Sequence, residues 1–218
     1  MKKQIFKITS ILFLGIAVIS CKETKNETEA TKAEEVKAVE ATADRYTADV
    51  ENSTLAWKGF KPTGTHNGTV KISEGYVVFD KGNLTGGNFV FDMNAITVLD
   101  IESADDNNAK LVGHLKSPDF FDVENHAFSS FDITGVEEKD GKTWVKGNLS
   151  IKNIKKNIEF PVEVTVIGDE ALLKSEPFTI DRTEWDIKYK STKFFDDLKD
   201  KFINDGIEIA IDVKAKKS

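Results

Sequence analysis

From Tyr46 onward, apolar side chains recur at every second position, a period that belongs to strands and not to helices. Phe89, Phe91 and Met93 alternate with Asn88, Val90 and Asp92. Ser129, Phe131 and Ile133 alternate with Ser130 and Asp132. Val145, Gly147, Leu149 and Ile151 oppose Trp144, Lys146, Asn148 and Ser150. Ile158, Phe160, Val162, Val164 and Val166 oppose Glu159, Glu163 and Thr165. Ile207, Ile209, Ile211 and Val213 oppose Glu208, Asp212 and Lys214. Each segment is a strand with one apolar face. Turn residues fall between strands, at Ser73-Glu74-Gly75, Lys81-Gly82-Asn83, Lys139-Asp140-Gly141 and Gly168-Asp169-Glu170. Asp140-Gly141 suits a type I′ hairpin turn. Two stretches break the period. Asp105 to Lys116 has helical spacing of Ala109, Leu111, Val112 and Leu115, with Ser103 as a possible cap and two acids in the first turn. Phe194 to Phe202 gathers Phe194, Phe195, Leu198 and Phe202 on one side and reads as a second short helix. An all-β fold with two short helices follows, either a sandwich or a closed antiparallel barrel. About eight strands make a barrel wide enough for one small ligand, and closure leaves no exposed edge.

The start of the chain obeys a different pattern. Lys2, Lys3 and Lys7 precede an almost wholly apolar run from Ile8 to Ile19. That run is shorter than the roughly 20 residues that span a bilayer. Residues 1–20 read as a signal peptide. Val18-Ile19-Ser20-Cys21 resembles a bacterial lipobox, so Cys21 is expected to be lipidated and to head the mature chain. Multiple acyl chains anchor stably where one does not. Residues 21–45 hold almost nothing apolar and read as the lipidated Cys followed by a disordered tether. Residues 46–218 form the domain. The Cys21-Lys22-Glu23 start resembles a surface-export signal. The expected address is that of an exported lipoprotein, on the periplasmic side of the outer membrane or the cell surface of a Gram-negative bacterium.

Charge narrows the partners. The chain carries 30 Lys+Arg against 37 Asp+Glu, a net charge of −7. An acidic balance argues against nucleic acid and against electrostatic adhesion to anionic lipid. A single Cys builds no disulfide framework, zinc finger or Fe–S site. His66, His114 and His126 fit no two-histidine metal motif. No G-x-S-x-G elbow and no glycine-rich phosphate loop is present, and Gly86-Gly87 reads as a bulge or bend. Asp105-Asp106 and Asp196-Asp197 read as surface acids. These observations predict no catalytic residue, no metal and no cofactor, and hence a protein that is not an enzyme.

The chain's 15 Phe include Phe79, Phe89, Phe91, Phe120, Phe121, Phe131, Phe160 and Phe178. They either fill the interior or line a tunnel for a long apolar ligand. One run bears on that choice. Gly113-His114-Leu115-Lys116-Ser117-Pro118-Asp119-Phe120-Phe121-Asp122-Val123 resembles the signature of the YceI-like family, a His-Leu followed by Ser-x-x-Phe-Phe-Asp-Val. Further pieces follow in the family's order. They are Tyr46-x-x-Asp49-x-x-x-Ser53-x-Leu55-x-Trp57, Gly68-Thr69-Val70, Gly75-Tyr76-Val77-Val78-Phe79-Asp80, and Phe128-Ser129-Ser130-Phe131. Val145 to Lys156 and Phe178-Thr179-Ile180-Asp181-Arg182-x-x-Trp185 complete them. The resemblance spans about residues 46–215. Departures occur where Leu111, Val112 and Gly113 replace an Arg-Asp step, where His126-Ala127 replaces Tyr-Pro, and where Asn153 replaces a turn glycine.

The resemblance implies an eight-stranded antiparallel, lipocalin-like barrel. It also implies an elongated apolar tunnel that takes a polyisoprenoid or isoprenoid quinone. Alternation then nominates Phe79, Phe89, Phe91, Phe131, Leu149 and Phe160 as inward ligand contacts, with Leu111 and Leu115 near the mouth. His114 is placed either to orient a head group or to seal the helix onto the barrel. Arg182 is placed to pair with Asp181, Asp122 or a head group. Ten buried ligand carbons at ~0.8 kcal/mol each contribute roughly 8 kcal/mol, about micromolar before the cost of association. The reading is a membrane-anchored carrier of an isoprenoid lipid, with a homodimer as a possible assembly. The alternative is a stress-related structural or interaction lipoprotein with a packed barrel and no ligand.

Overall fold

The computed structural model describes residues 26–38, 40 and 42–218. The signal peptide expected over residues 1–20 and the lipidation expected at Cys21 lie outside the described residues. The elements in order are β1 (Thr31–Lys32), β2 (Asp44–Ala48), β3 (Thr54–Lys61), β4 (Gly64–Asp80), β5 (Asn83–Asp92), α1 (Asp106–Lys116) and β6 (Phe128–Lys139). Then come β7 (Lys142–Ile151), β8 (Ile154–Ile167), β9 (Glu170–Ser175), β10 (Phe178–Asp181) and β11 (Gly206–Lys217). All strand pairings between these elements are antiparallel. β3, β4, β5, β6, β7, β8, β9 and β11 each pair with the next, and β11 returns to β3. The eight therefore form a closed, barrel-like ring. Closure satisfies the backbone groups that an open sheet would leave at its edges.

Turn chemistry accounts for the hairpins. Asp140 and Gly141 sit at φ 54° and 72°, and Lys152 and Asn153 at 50° and 60°, so both turns have two left-handed residues as type I′ requires. Asn153 thus takes the conformation that glycine would supply. The register slips by one residue between Val78 and Phe79, bulging the partner strand at Thr85 beside Gly86-Gly87. Packing demands glycine at several positions, Gly147 among them. A Cβ on Gly147 would overlap the Phe131 ring from the neighbouring strand.

The inner face carries the core: Ile72, Val77, Phe79, Phe89, Phe131, Val145, Ile158, Phe160, Leu173, Ile180 and Val213 are all buried. Phe160 and Phe178 stack with ring centroids 4.1 Å apart. α1 caps one end of the ring. Its N-cap is Asp105, whose carboxylate accepts from the Asn107 amide, so Ser103 is not the cap. Asn108 Nδ2 donates to the carbonyls of Val98 and Ile101 and ties the first turn to the preceding loop.

Two expectations differ from the structure. The second helix over Phe194–Phe202 does not form; a single 3-10 turn at Lys199–Lys201 takes its place. Asp197 and Lys199 adopt φ of 57° and 53°, which no right-handed helix tolerates, and Phe194 and Phe195 stay half-exposed. The second difference lies at residues 26–38, which do not hang free as tether. β8 pairs with β9 only from Val162 on, and β10 pairs with β11, so a gap separates the first half of β8 from β10. The 26–32 segment fills it. Thr28 N–H donates to Thr179 O and Thr179 N–H donates to Asn26 O, at 2.8 and 3.0 Å. On the other side Thr31 and Lys32 pair with Asn157 and Lys156, and Thr28 Oγ1 donates to Glu159 O at 2.7 Å. The polar composition forbids an apolar core for this segment. It places no bar on pairing with strand edges that need partners.

Candidate functional site

α1, the Ser117–His126 loop and the loop between β10 and β11 cover one end of the ring and enclose a cavity of about 470 Å3. Small-molecule sites usually fall between ~300 and 1,000 Å3. Its walls come from the inward faces of the strands: Leu55 and Trp57 on β3, Phe91 on β5, Leu149 and Ile151 on β7, Ile207 and Ile209 on β11. Leu111 and Leu115 of α1 form part of its lining, with Phe120, Phe121 and Tyr189. The Trp57 indole N–H is satisfied by Thr97 O at 3.1 Å, so its ring meets the cavity without an orphaned donor.

The Gly113–Val123 run builds this part of the cavity by local bonding. Ser117 N–H and Oγ both donate to His114 O, ending the helix. Phe121 N–H then donates to Leu115 O and Val123 N–H to Lys116 O, while Asp122 takes φ 47°. This folded-back turn buries Leu115, Phe120 and Val123. His114 faces the cavity between the rings of Phe120 and Tyr189, edge-on to both at 5.1 and 4.8 Å. Its Nε2 lies 3.1 Å from Asp119 Oδ2. The imidazole therefore packs into the cavity wall, with Nε2 engaged by Asp119.

His66 likewise reaches Asp100, at 2.8 Å, and His126 reaches Asp122, at 3.7 Å. Asp100 is held below the usual carboxylate range: burial opposes ionisation, but hydrogen bonds from Asn67 N–H and His66 prevail. The three histidines each take a different aspartate. Among the described residues, no group of three or more His, Cys, Asp or Glu is arranged to hold a metal.

The nominated contacts divide into three sets. Phe91, Leu111, His114, Leu115 and Leu149 come together around the cavity. Phe89, Phe131 and Phe160 lie deeper, around a separate apolar pocket of only about 40 Å3 that shares Leu55, Phe91, Leu149 and Ile209 with the cavity. That is less than a tenth of the volume of the cavity, so this half of the interior is nearly filled. Phe79 touches neither space. Its ring packs edge-on against Tyr46 at 5.2 Å and serves the core. Alternation gives the face of a strand but not the depth along the ring, which is why it grouped all six. Trp57, Ile207, Ile209, Tyr189 and Phe202 also line the cavity and were not nominated. The period-two run of β11 carried a signal for Ile207 and Ile209; Tyr189, in an irregular loop, carried none.

Arg182 forms an ion pair with neither Asp181 nor Asp122. It is 1% exposed and donates to four carbonyls, those of Ile187, Tyr189, Ile203 and Asn204, at 2.6, 2.9, 3.1 and 3.2 Å. Its charge is met by Asp205 at 3.3 Å. Burial pulls the guanidinium below its ordinary value, and Asp205 and Asp181 oppose that pull. Asp181 pairs instead with Lys193. Arg182 thus knits the loop that covers the cavity, because a planar five-donor fork suits several carbonyls at once.

Comparisons with known proteins agree with this architecture. BcnA of Burkholderia cenocepacia superposes with a TM-score of 0.62 at 18% identity, covering 78% of this chain and 99% of its own. A polyisoprenoid-binding domain from Saccharophagus degradans, implicated in plant cell wall breakdown, superposes at 0.56 with 11% identity, covering 79% and 98%. At these identities the likeness is one of fold. A UPF0312 protein of Vibrio vulnificus is 33% identical over 109 residues, 46% of this chain and 58% of that protein. A UPF0312 protein of Vibrio campbellii is 32% identical over the same length. The matched stretch thus spans little more than half of these curated relatives. The YceI-like domain profile matches residues 46–215, the whole ring with its cap, and the chain therefore belongs to the YceI-like domain family.

Proposed function

We propose that this protein binds and carries an isoprenoid lipid, a polyisoprenoid or an isoprenoid quinone, and is held at a membrane through lipidated Cys21. The observation that carries the reading is the 470 Å3 cavity opening into a ring of apolar side chains. The kinship in fold with a polyisoprenoid-binding domain supports the same ligand class. Association here needs little polar recognition, since each buried methylene contributes ~0.8 kcal/mol. The role is binding and transfer, not turnover. The proposed setting is the periplasmic side of the outer membrane or the cell surface. A packed interaction protein is the weaker reading, because that reading requires the cavity to be absent.

The test is to purify the full chain from a bacterial host, extract it with organic solvent and identify the extract by mass spectrometry. A stoichiometric prenyl lipid is expected. A clean extract from folded protein that also takes up no added prenyl compound would overturn the proposal.

A further inference from the structure

The cavity rim has a sign opposite to that of the protein. The chain as a whole carries −7, yet Lys61, Lys190 and Lys201 line the cavity alongside a single carboxylate, Asp200. Backbone bonds hold the three segments together. Asn204 N–H donates to Phe60 O and Ile203 N–H donates to Lys190 O, both at 2.9 Å. These two bonds draw the end of β3, the turn at Lys190 and the segment leading to β11 onto one rim. Arg182 reinforces it by bonding the carbonyls of both Tyr189 and Ile203. Lys190 is held at φ 50°, a conformation that lysine seldom adopts, with its ammonium over the Tyr189 ring at 5.2 Å.

Some surface lysines take acid partners, such as Lys142 with Glu176, Lys146 with Glu137, Lys156 with Glu184 and Lys193 with Asp181, and others, such as Lys58, Lys110 and Lys214, take none among the described residues; the rim differs in gathering three such lysines around one cavity. Among the described residues, no carboxylate lies within ion-pair distance of Lys61, Lys190 or Lys201. The neighbouring acids Asp100, Asp119 and Asp205 are engaged by His66, His114 and Arg182. Three lysines without acid partners, lining one apolar cavity, are complementary to an anion on the end of an apolar chain.

We infer that the cavity selects amphiphiles with an anionic head group, above all a prenyl phosphate, and that Lys61, Lys190 and Lys201 are its head-group contacts. The inference rests on the carrier reading and sharpens it, since it ranks a phosphorylated prenyl lipid above a neutral quinone or alcohol of equal chain.

The test titrates the full chain, freed of endogenous lipid, with farnesyl phosphate, farnesol and palmitate. Tryptophan fluorescence reports binding, because Trp57 lines the cavity. Farnesyl phosphate should bind at least about tenfold tighter than farnesol at low salt, and the preference should shrink as salt screens the rim. With Lys61→Gln, Lys190→Gln and Lys201→Gln combined, the ratio of the two affinities should fall to about one. The salt series on the unaltered protein keeps the test decisive if that variant does not fold. Equal binding of farnesol and farnesyl phosphate overturns the inference and leaves the carrier reading standing. Binding of neither overturns both. Palmitate matching farnesyl phosphate supports selection of the anion and makes a fatty acid its source.

Discussion

Single residues separate the groups that shape the cavity from those that fill space behind it. Arg182 is the sharpest case. Replacing it with Met strands Asp205 and four carbonyls in a nearly dry site, and removing one partner of a buried ion pair costs about 3–5 kcal/mol. Urea unfolding of Arg182→Met should show a loss of that size, and Arg182→Lys should recover only part of it. Asp181 makes a second, pH-dependent case. Burial works against its charge, but hydrogen bonds from Lys193 and Thr183 outweigh burial and hold its carboxyl below the usual range. A depressed acid stabilises the fold above its unfolded value of about 3.9 and loses that effect as pH falls through the folded value. Asp181→Asn should therefore lower Tm at neutral pH, with the gap to the unaltered protein closing below about pH 4. A gap that stayed constant across that range would mean the Lys193 pair contributes nothing to stability.

At the scale of elements, what the sequence disclosed follows the range of the forces involved. The strands from Phe89 to Val213 were legible because a half-buried strand writes its two faces into alternate residues. The turn at Asp140-Gly141 was legible because few residues accept two positive φ values in succession. The 194–202 segment misled for a related reason. Its aromatic spacing mimics a helix, but spacing carries no information on the left-handed turns at Asp197 and Lys199. The 26–38 segment was hidden more deeply, since its partners are backbone edges more than a hundred residues away. Asn148 shows how it is held. This residue is 2% exposed on the outer face of β7. Its side-chain amide accepts from Glu34 N–H at 2.9 Å and donates to Glu34 O at 2.7 Å, as a neighbouring strand would. Asn157 completes the site by donating to Asn148 Oδ1 and to Thr134 Oγ1. Asn148→Leu should release the segment around Glu34 and leave Asn157 short of a partner, costing about 1–3 kcal/mol. Hydrogen exchange should then accelerate at Thr28 and Glu34 and stay slow on β5 and β6. Equal acceleration throughout the ring would show that the segment is part of one cooperative unit.

For the whole molecule, the interior is divided between an open half and a filled half, and that division sets which ligands fit. The cavity under α1 has room for a head and the start of a chain, whereas the Phe89, Phe131 and Phe160 rings occupy the space a longer tail would need. Phe131 lies 5.4 Å from Phe160 and over Gly147, so its ring is the plug between the two halves. Truncating such a ring removes buried area and leaves a void, at a cost of about 3–5 kcal/mol. The void would adjoin the inner pocket, which already shares Leu55, Phe91, Leu149 and Ile209 with the cavity. An apolar tail that enters it would recover part of the lost packing, and a ligand that binds only the folded state raises Tm as its concentration exceeds Kd. Phe131→Ala should thus be less stable than the unaltered protein when empty, yet gain more in Tm from a long-chain prenol than from farnesol. The unaltered protein should show a smaller difference between the two chains. If chain length leaves the gain in Tm unaffected in both proteins, the tail does not run down the ring, and the cavity under α1 accommodates the whole ligand.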